Sequence, residues 1–243
     1  MIRLDKRQAN ELRKLKFITD YQEFALASVL VESGKTKVIC AVSVEDKVPI
    51  FLKGEKQGWI TAEYAMLPGS TDTRSARETL RPAGRSQEIS RLIGRSLRAV
   101  FKAGYLGERT LLVDCDVLQA DGGTRTAAIS GAYVAVYIAC LQLIKMGVIC
   151  HMPLSEGLAA VSGGIVDGQI LLDLAYNEDA AASSDFNIVA TESGSLVEIQ
   201  GSAEKAPYSL AKLNEVLILA QDSIKNIIAV QKAAIDEWKL IHG

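Results

Sequence analysis

Asp114-Cys-Asp-Val-Leu-Gln-Ala-Asp-Gly-Gly-Thr-Arg-Thr-Ala-Ala-Ile-Ser-Gly-Ala132 lies near the middle of the 243-residue chain. It reads as a strand, a glycine turn and the start of a long helix. Leu111–Leu118 is apolar and β-branched enough to be a buried strand. Gly122 and Gly123 then break the pattern, and Thr124 to Lys145 runs apolar on nearly every side, as a helix sunk in a core does. A glycine turn feeding a helix leaves backbone N–H groups unpaired and aimed outward, with the positive end of the helix dipole behind them. Thr124 adds a hydroxyl and Arg125 a two-pronged cation suited to phosphate. The stretch is a candidate anion site, although such a joint also serves simply to let a helix pack close to a sheet. No Gly-Lys-Ser/Thr follows at Walker spacing, and the Gly-x-Gly-x-x-Gly of dinucleotide sites is missing. A free phosphate or a phosphodiester therefore suits it better than a nucleoside triphosphate.

Composition bounds the rest. About half the residues are hydrophobic (49%) and 23% are charged, enough for a substantial core. The length suits one large domain or two fused halves; the expectation is a single domain over 1–243, with halves meeting near residue 147. A net charge of −2 does not announce a nucleic-acid binder, so any RNA surface has to be local. The four cysteines show no paired spacing and read as reduced thiols of a cytoplasmic protein. The charged N-terminus lacks the apolar core of a signal peptide, and Ala127–Leu141, the longest apolar run, is too short and too interrupted for a membrane span. With only His151 and His242 available, acid–base work falls to carboxylates.

Outward from the central stretch, residues 1–14 read as a charged surface tail. Phe24–Glu32 and Lys37–Val44 form strands around a Ser33-Gly-Lys-Thr36 turn, and Trp59–Met66 is another strand. Gln87–Ala103 is an amphipathic helix with Ile89, Leu92, Ile93, Leu97 and Val100 on one face. Arg91, Arg95, Arg98 and Lys102 fall on another; they are either solvated or meet an acidic partner subunit, and the lack of an i,i+4 acid beside them favours the second. Strands at Leu158–Val166 and Gln169–Tyr176 flank Asp167-Gly168, a type I′ hairpin signal. Asp185–Thr191 and Leu196–Gln200 form a second hairpin, and Tyr208–Leu240 is a long amphipathic helix. Both halves begin with hairpins and turn helical, an α+β layout.

Two further stretches carry chemistry. Pro68 to Arg85 is long, polar and basic, with Arg74, Arg77, Arg81 and Arg85 set among Ser and Thr; this suits a phosphate backbone, or a solvated loop. Asp179 and Asp185 stand either side of Ala180-Ala-Ala-Ser-Ser184. That small-residue bend can bring two carboxylates together to share a Mg²⁺ or Mn²⁺, or to keep one protonated as a general acid; a solvated acidic turn is the plainer alternative.

The chain resembles the bacterial ribonuclease PH family over almost its whole length. The likeness is carried by Gly58-Trp-Ile-Thr-Ala-Glu-Tyr64, Met66-Leu-Pro68, Gly84-Arg-Ser-Gln-Glu-Ile89, Arg91 to Arg98, Leu106-Gly-Glu-Arg109, Asp114 to Thr126, Leu172-Asp-Leu174 and Val197-Glu-Ile-Gln-Gly201. The resemblance implies an α+β fold of two βαβα-type halves and a homohexamer built as a trimer of dimers. It also implies phosphate-dependent trimming of RNA 3′ ends, tRNA precursors above all, with release of nucleoside diphosphates. By the same resemblance Gly123, Thr124, Arg125 and Arg85 hold the phosphate, Asp179 and Asp185 form the acidic pair around a Mg²⁺, and Arg74 and Arg77 contact RNA. A non-catalytic RNA-binding ring subunit is the alternative, but such subunits typically lose the arginines or acids that this chain keeps; a metal-dependent hydrolase would not need the arginine-lined anion pocket. The departures are Gly69 where an arginine is usual, a loop about two residues shorter before Arg85, Lys6 in place of a glycine, Ala27 in place of a glycine, and Ala175 in place of an acid. The first two imply weaker binding of structured tRNA with the chemistry intact.

Overall fold

The computed structural model describes residues 3–77 and 84–243. Arg81, one of the arginines of the basic stretch, lies outside the described residues. The first sheet contains β1 (Leu15–Thr19), β2 (Ala27–Ser33), β3 (Thr36–Glu45), β4 (Trp59–Met66) and β5 (Thr110–Gln119), in the order β1-β2-β3-β5-β4. Its pairings are antiparallel except β4 with β5, which run parallel with α1 (Gly84–Ala99) as the crossover. Then come α2 (Thr124–Lys145) and the strands β6 (Leu158–Val166), β7 (Gln169–Leu172), β8 (Ser184–Thr191) and β9 (Leu196–Ala203). These make a second, wholly antiparallel sheet ordered β7-β6-β8-β9, with α3 (Tyr176–Ala181) between β7 and β8 and α4 (Leu210–His242) at the end. The segment β4-α1-β5-α2 is a βαβα run, and the fold is α+β, as the sequence implied.

Helix α2 explains why its sequence has no polar face. It packs on β2 and β3 of the first sheet and on β6 of the second, so nearly every side meets apolar side chains. Its length and hydropathy would suffice to cross a membrane, more than the shorter run Ala127–Leu141 suggested, but 78% of its most apolar window is buried inside the fold. Cys40 and Cys115 face each other across β3 and β5, and Cys140 is buried on α2. The Asp167-Gly168 turn has both central residues at positive φ (48° and 77°), the type I′ geometry that the dipeptide predicts.

Four expectations fail for identifiable reasons. The N-terminal segment is not a surface tail: Arg3 and Arg13 are buried in ion pairs with Glu178 and Asp173, and the segment runs on into β1, which pairs with β2. Helix α1 ends at Ala99, not Ala103, because Phe101 leaves it to bridge Leu154. Its cations are largely met within this chain: Arg95 pairs with Glu198 on β9, while Arg98 stacks over Trp59 and donates to the Ile60 carbonyl at 2.7 Å. Finally, β7 stops at Leu172 because Asp173 turns the chain at a φ of 51°, and the acidic stretch that follows is the helix α3.

Lys6, where the resemblance implied glycine, has a φ of 63°. A side chain in the left-handed region costs about 1–2 kcal/mol, partly offset in glycine by its greater freedom when unfolded. Lys6→Gly is accordingly expected to stabilise the protein by about 0.5–1 kcal/mol, read in thermal unfolding as a rise of roughly 1–3 °C. An unchanged or lower midpoint would show that the lysine side chain contributes more than its backbone costs.

Candidate active site

The site is built on the joint between β5 and α2. Gly122 and Gly123 both take positive φ (73° and 64°). At Gly122 a Cβ would lie 2.3 Å from the Leu174 carbonyl oxygen, so the turn needs glycine for space as well as for its dihedral angle. Gly123 is the N-cap of α2 and no side chain caps that end, which leaves the first N–H groups of the helix for a ligand. Thr124 accepts a hydrogen bond from the Tyr64 hydroxyl at 2.9 Å. Since Tyr64 supplies that proton, the Thr124 hydroxyl keeps its own to donate elsewhere. Burial raises the Tyr64 pKa against the opposing effects of the Thr124 bond and of Arg85 and Arg125, so the phenol stays a donor.

Arg125, in the first turn of α2, is held in place by other side chains. It donates to Gln200 Oε1 on β9 at 2.9 Å and lies 3.6 Å from Glu88 on α1. Arg85 enters from the first turn of α1. Asp179 comes from α3 and Asp185 from the start of β8. Together with Gly122, Gly123, Thr124, Tyr176, Asn187 and Lys205 these residues line one cleft of about 600 Å³. The structure thus brings six of the sequence-predicted site residues to one cavity: Arg85, Gly123, Thr124, Arg125, Asp179 and Asp185. It leaves two outside. Arg74 and Arg77 are exposed on the segment after β4, beside the cleft and not lining it. The charge of Arg77 reaches Asp116 on β5, where it opposes the upward pull of burial on that carboxyl.

The two aspartates have different environments. Asp179 stands at the solvent-exposed mouth of the cleft, yet surrounding protein desolvates it, and this, followed by the charge of Asp185, raises its pKa despite Arg85 and Arg125. It therefore holds a proton further toward neutral pH than an ordinary aspartate. Asp185 has one carboxylate oxygen, Oδ1, buried and without a hydrogen-bond partner among the described residues. Acidic, histidine and cysteine side chains form no group of three or more fit for a metal ion among the described residues.

Sequence reading missed Tyr64, Gln200, Tyr176, Asn187 and Lys205. Tyr64 and Gln200 sit inside stretches that carried the family resemblance, and that was the available signal. Lys205 had none: it follows β9 in an ordinary polar turn and donates to the Ala181 carbonyl.

Comparison with known proteins identifies the family. The "3′ exoribonuclease family" matches in two parts, its domain 1 over residues 11–142 and its domain 2 over residues 158–223. The ribonuclease PH of Synechococcus sp. (strain CC9605) is 51% identical over 235 residues, covering 97% of this chain and 95% of that protein. The chain belongs to the phosphorolytic 3′–5′ exoribonuclease family. Among solved structures, rice (Oryza sativa) Rrp46 superposes with a TM-score of 0.77 at 18% identity, over 96% of this chain and all of that one. An Archaeoglobus fulgidus exosome structure with RNA bound to the active site gives 0.80 at 21% identity, over 93% of this chain and 91% of that one. At such identities these two likenesses speak for the fold alone. As a member of this family the chain is a nucleotidyltransferase that uses inorganic phosphate as its co-substrate.

Proposed function

We propose that this protein shortens the 3′ ends of tRNA precursors and other RNA in the cytoplasm, as a homohexamer, with Arg85, Gly123, Thr124 and Arg125 holding the attacking phosphate and Asp179 and Asp185 serving the departing oxygen. One observation carries this reading: an anion-seeking helix terminus, two arginines and two carboxylates line a single cleft. A phosphate oxygen bonds to the terminal phosphorus. The bond from that phosphorus to the 3′ oxygen of the preceding nucleotide breaks, giving a nucleoside diphosphate and an RNA one nucleotide shorter. The arginines and backbone N–H groups hold the phosphate in line and offset charge on the transferring group. The departing 3′ oxygen needs a proton, and Asp179, whose carboxyl burial and the charge of Asp185 push above the ordinary range, is the member of the pair better suited to supply one. Run backward, the same steps add nucleotides from diphosphates.

A Mg²⁺ or Mn²⁺ fits the pair of carboxylates, since Asp185 Oδ1 lacks a protein partner and two hard oxygen donors with the rest of the shell open is a magnesium-like arrangement. Such an ion would supply positive charge beside the departing oxygen. Arg74 and Arg77, exposed on the segment after β4, would meet the RNA backbone upstream of the reacting end. Gly69 lies in the same segment with nothing packed around it, so the charge an arginine would bring there is not replaced by a neighbour's contact.

The test uses RNA carrying a labelled 3′-terminal nucleotide, incubated with the purified protein and Mg²⁺, with and without inorganic phosphate. Label is expected to leave as a nucleoside diphosphate only when phosphate is present. Release as a monophosphate in both cases would mean hydrolysis and would remove the phosphate role from the arginine wall. Binding without release would favour a non-catalytic ring subunit.

A further inference from the structure

The N-terminal arm packs against the glycine turn and against α3 without lining the cleft. Arg3 and Arg13 are buried there, their side chains only 2% and 5% exposed. Arg13 grips Asp173 through its backbone N–H and through Nε and a terminal nitrogen, at 2.7 to 3.1 Å. The remaining donors of the same guanidinium reach the glycine turn, at the Asp121 carbonyl and, at 3.4 Å, the Gly122 carbonyl. Thr36 donates to that second carbonyl at 2.7 Å and accepts from the Asp121 N–H. In a trans peptide the N–H points opposite to the C=O. Drawing the carbonyls of Asp121 and Gly122 backward therefore turns the N–H groups of Gly122 and Gly123 forward, into the cleft those two glycines line.

A parallel clamp holds the acidic side. Arg3 donates through two nitrogens to both oxygens of Glu178, each at 2.7 Å, and to the carbonyls of Leu172 and Asp173 at 3.0 Å. Glu178 directly precedes Asp179 on α3. The clamps also meet: the Asp121 carboxylate, in the turn, accepts from the Tyr176 N–H at the start of α3.

We infer that the N-terminal arm is a positioning device for the reaction, in which Arg13 sets the peptide orientation of the phosphate-holding turn and Arg3 sets the placement of the helix that carries Asp179. Neither arginine touches substrate. This rests on the phosphate site proposed above and adds residues that act through it. Glycine peptides flip easily because no side chain opposes rotation, so a turn of two glycines needs an outside anchor if its N–H groups are to stay aimed. Preorganised donors stabilise an anion without having to reorient on binding.

Lysine substitutions test the idea, since they keep each buried charge opposite its carboxylate and remove the extra prongs. In Arg13→Lys the pair with Asp173 survives and the grip on the turn carbonyls is lost. The phosphate KM is expected to rise roughly tenfold, with kcat and RNA affinity little changed, and direct titration with inorganic phosphate should weaken by the same factor, equivalent to about 1.4 kcal/mol. Arg3→Lys should instead lower kcat roughly tenfold at an unchanged phosphate KM. Unfolding midpoints separate this from a purely structural role. If both variants unfold earlier yet keep wild-type kcat and phosphate KM, the arginines are structural and the inference is overturned. A wild-type protein that neither binds nor uses phosphate would overturn the site reading as well. Wild-type activity with an unmoved Arg13→Lys KM would overturn the inference alone.

Discussion

Asp185→Asn is expected to cut phosphorolysis by about 10²-fold or more while RNA and phosphate still bind, the loss typical of removing an acid–base or charge-stabilising group. The argument rests on the asymmetry of the pair. Asp185, which lines the cleft, carries a buried oxygen without a partner among the described residues, and its charge helps to raise the pKa of Asp179. An amide removes both features: it cannot hold a cation through a full negative charge, and it relaxes the charge pressure that raises the Asp179 pKa. Stability should move the other way. A carboxyl with a raised folded pKa favours the folded state fully below its unfolded pKa, and that contribution is lost as pH rises through the folded value. Near neutral pH the two charges are thus a net cost, so Asp185→Asn should unfold no earlier than the wild type, because it relieves an active-site repulsion. The wild type should likewise gain from this pair as pH falls through the Asp179 pKa, a gain diminished in the variant. Turnover near wild type, or a large drop in unfolding midpoint, would each sink the assignment.

The parts of the fold that were legible in the sequence share a cause. Strand β5, the glycine turn and helix α2 stand out because a segment buried on all sides has an unbroken apolar pattern, and because two adjacent glycines have little other use. The hairpin at Asp167-Gly168 was legible for the same local reason. What escaped were features fixed by distant partners. Residues 3–13 look like a solvated tail because arginines near a terminus usually are. Their burial depends on Glu178 and Asp173, more than a hundred and fifty positions away, and no local pattern encodes that pairing. Helix α3 escaped because it is short and its N-cap, Ala175, offers no side-chain acceptor; its first N–H groups are met instead by Glu178, reaching back to the Ala175 N–H, and by Asp121 of the distant glycine turn. The arginines of α1 show the same limit. Their sequence neighbours gave them no acid, and the acid came from β9. At the site, Asp179 and Asp185 could be paired from the small residues between them, whereas Gln200 could not be tied to Arg125 without the second sheet.

Arg125→Ala should raise the phosphate KM by about 10²-fold, equivalent to about 3 kcal/mol, with fold and RNA affinity retained. Arg125 is only 18% exposed on its side chain and is already held by Gln200 and Glu88, so its guanidinium would meet an anion with little rotamer freedom left to lose. It also stands at the helix end where the backbone N–H groups of the turn converge, so one anion engages both sets of donors. That overlap is why its removal should cost more than the loss of Arg85, which is exposed and enters from a different helix. Arg125→Lys sharpens the test. A lysine keeps the charge and gives up the planar fork, so it should recover part of the affinity if charge dominates and little if two-pronged geometry does. The comparison with Arg13→Lys then distinguishes contact from positioning: a direct phosphate ligand should change the KM and the salt sensitivity of phosphate binding together, because a screened charge has been taken from the site. A residue that only orients backbone donors should change the KM and leave the salt sensitivity as it was. An Arg125→Ala protein with the wild-type phosphate KM would show that the helix terminus holds the anion without it.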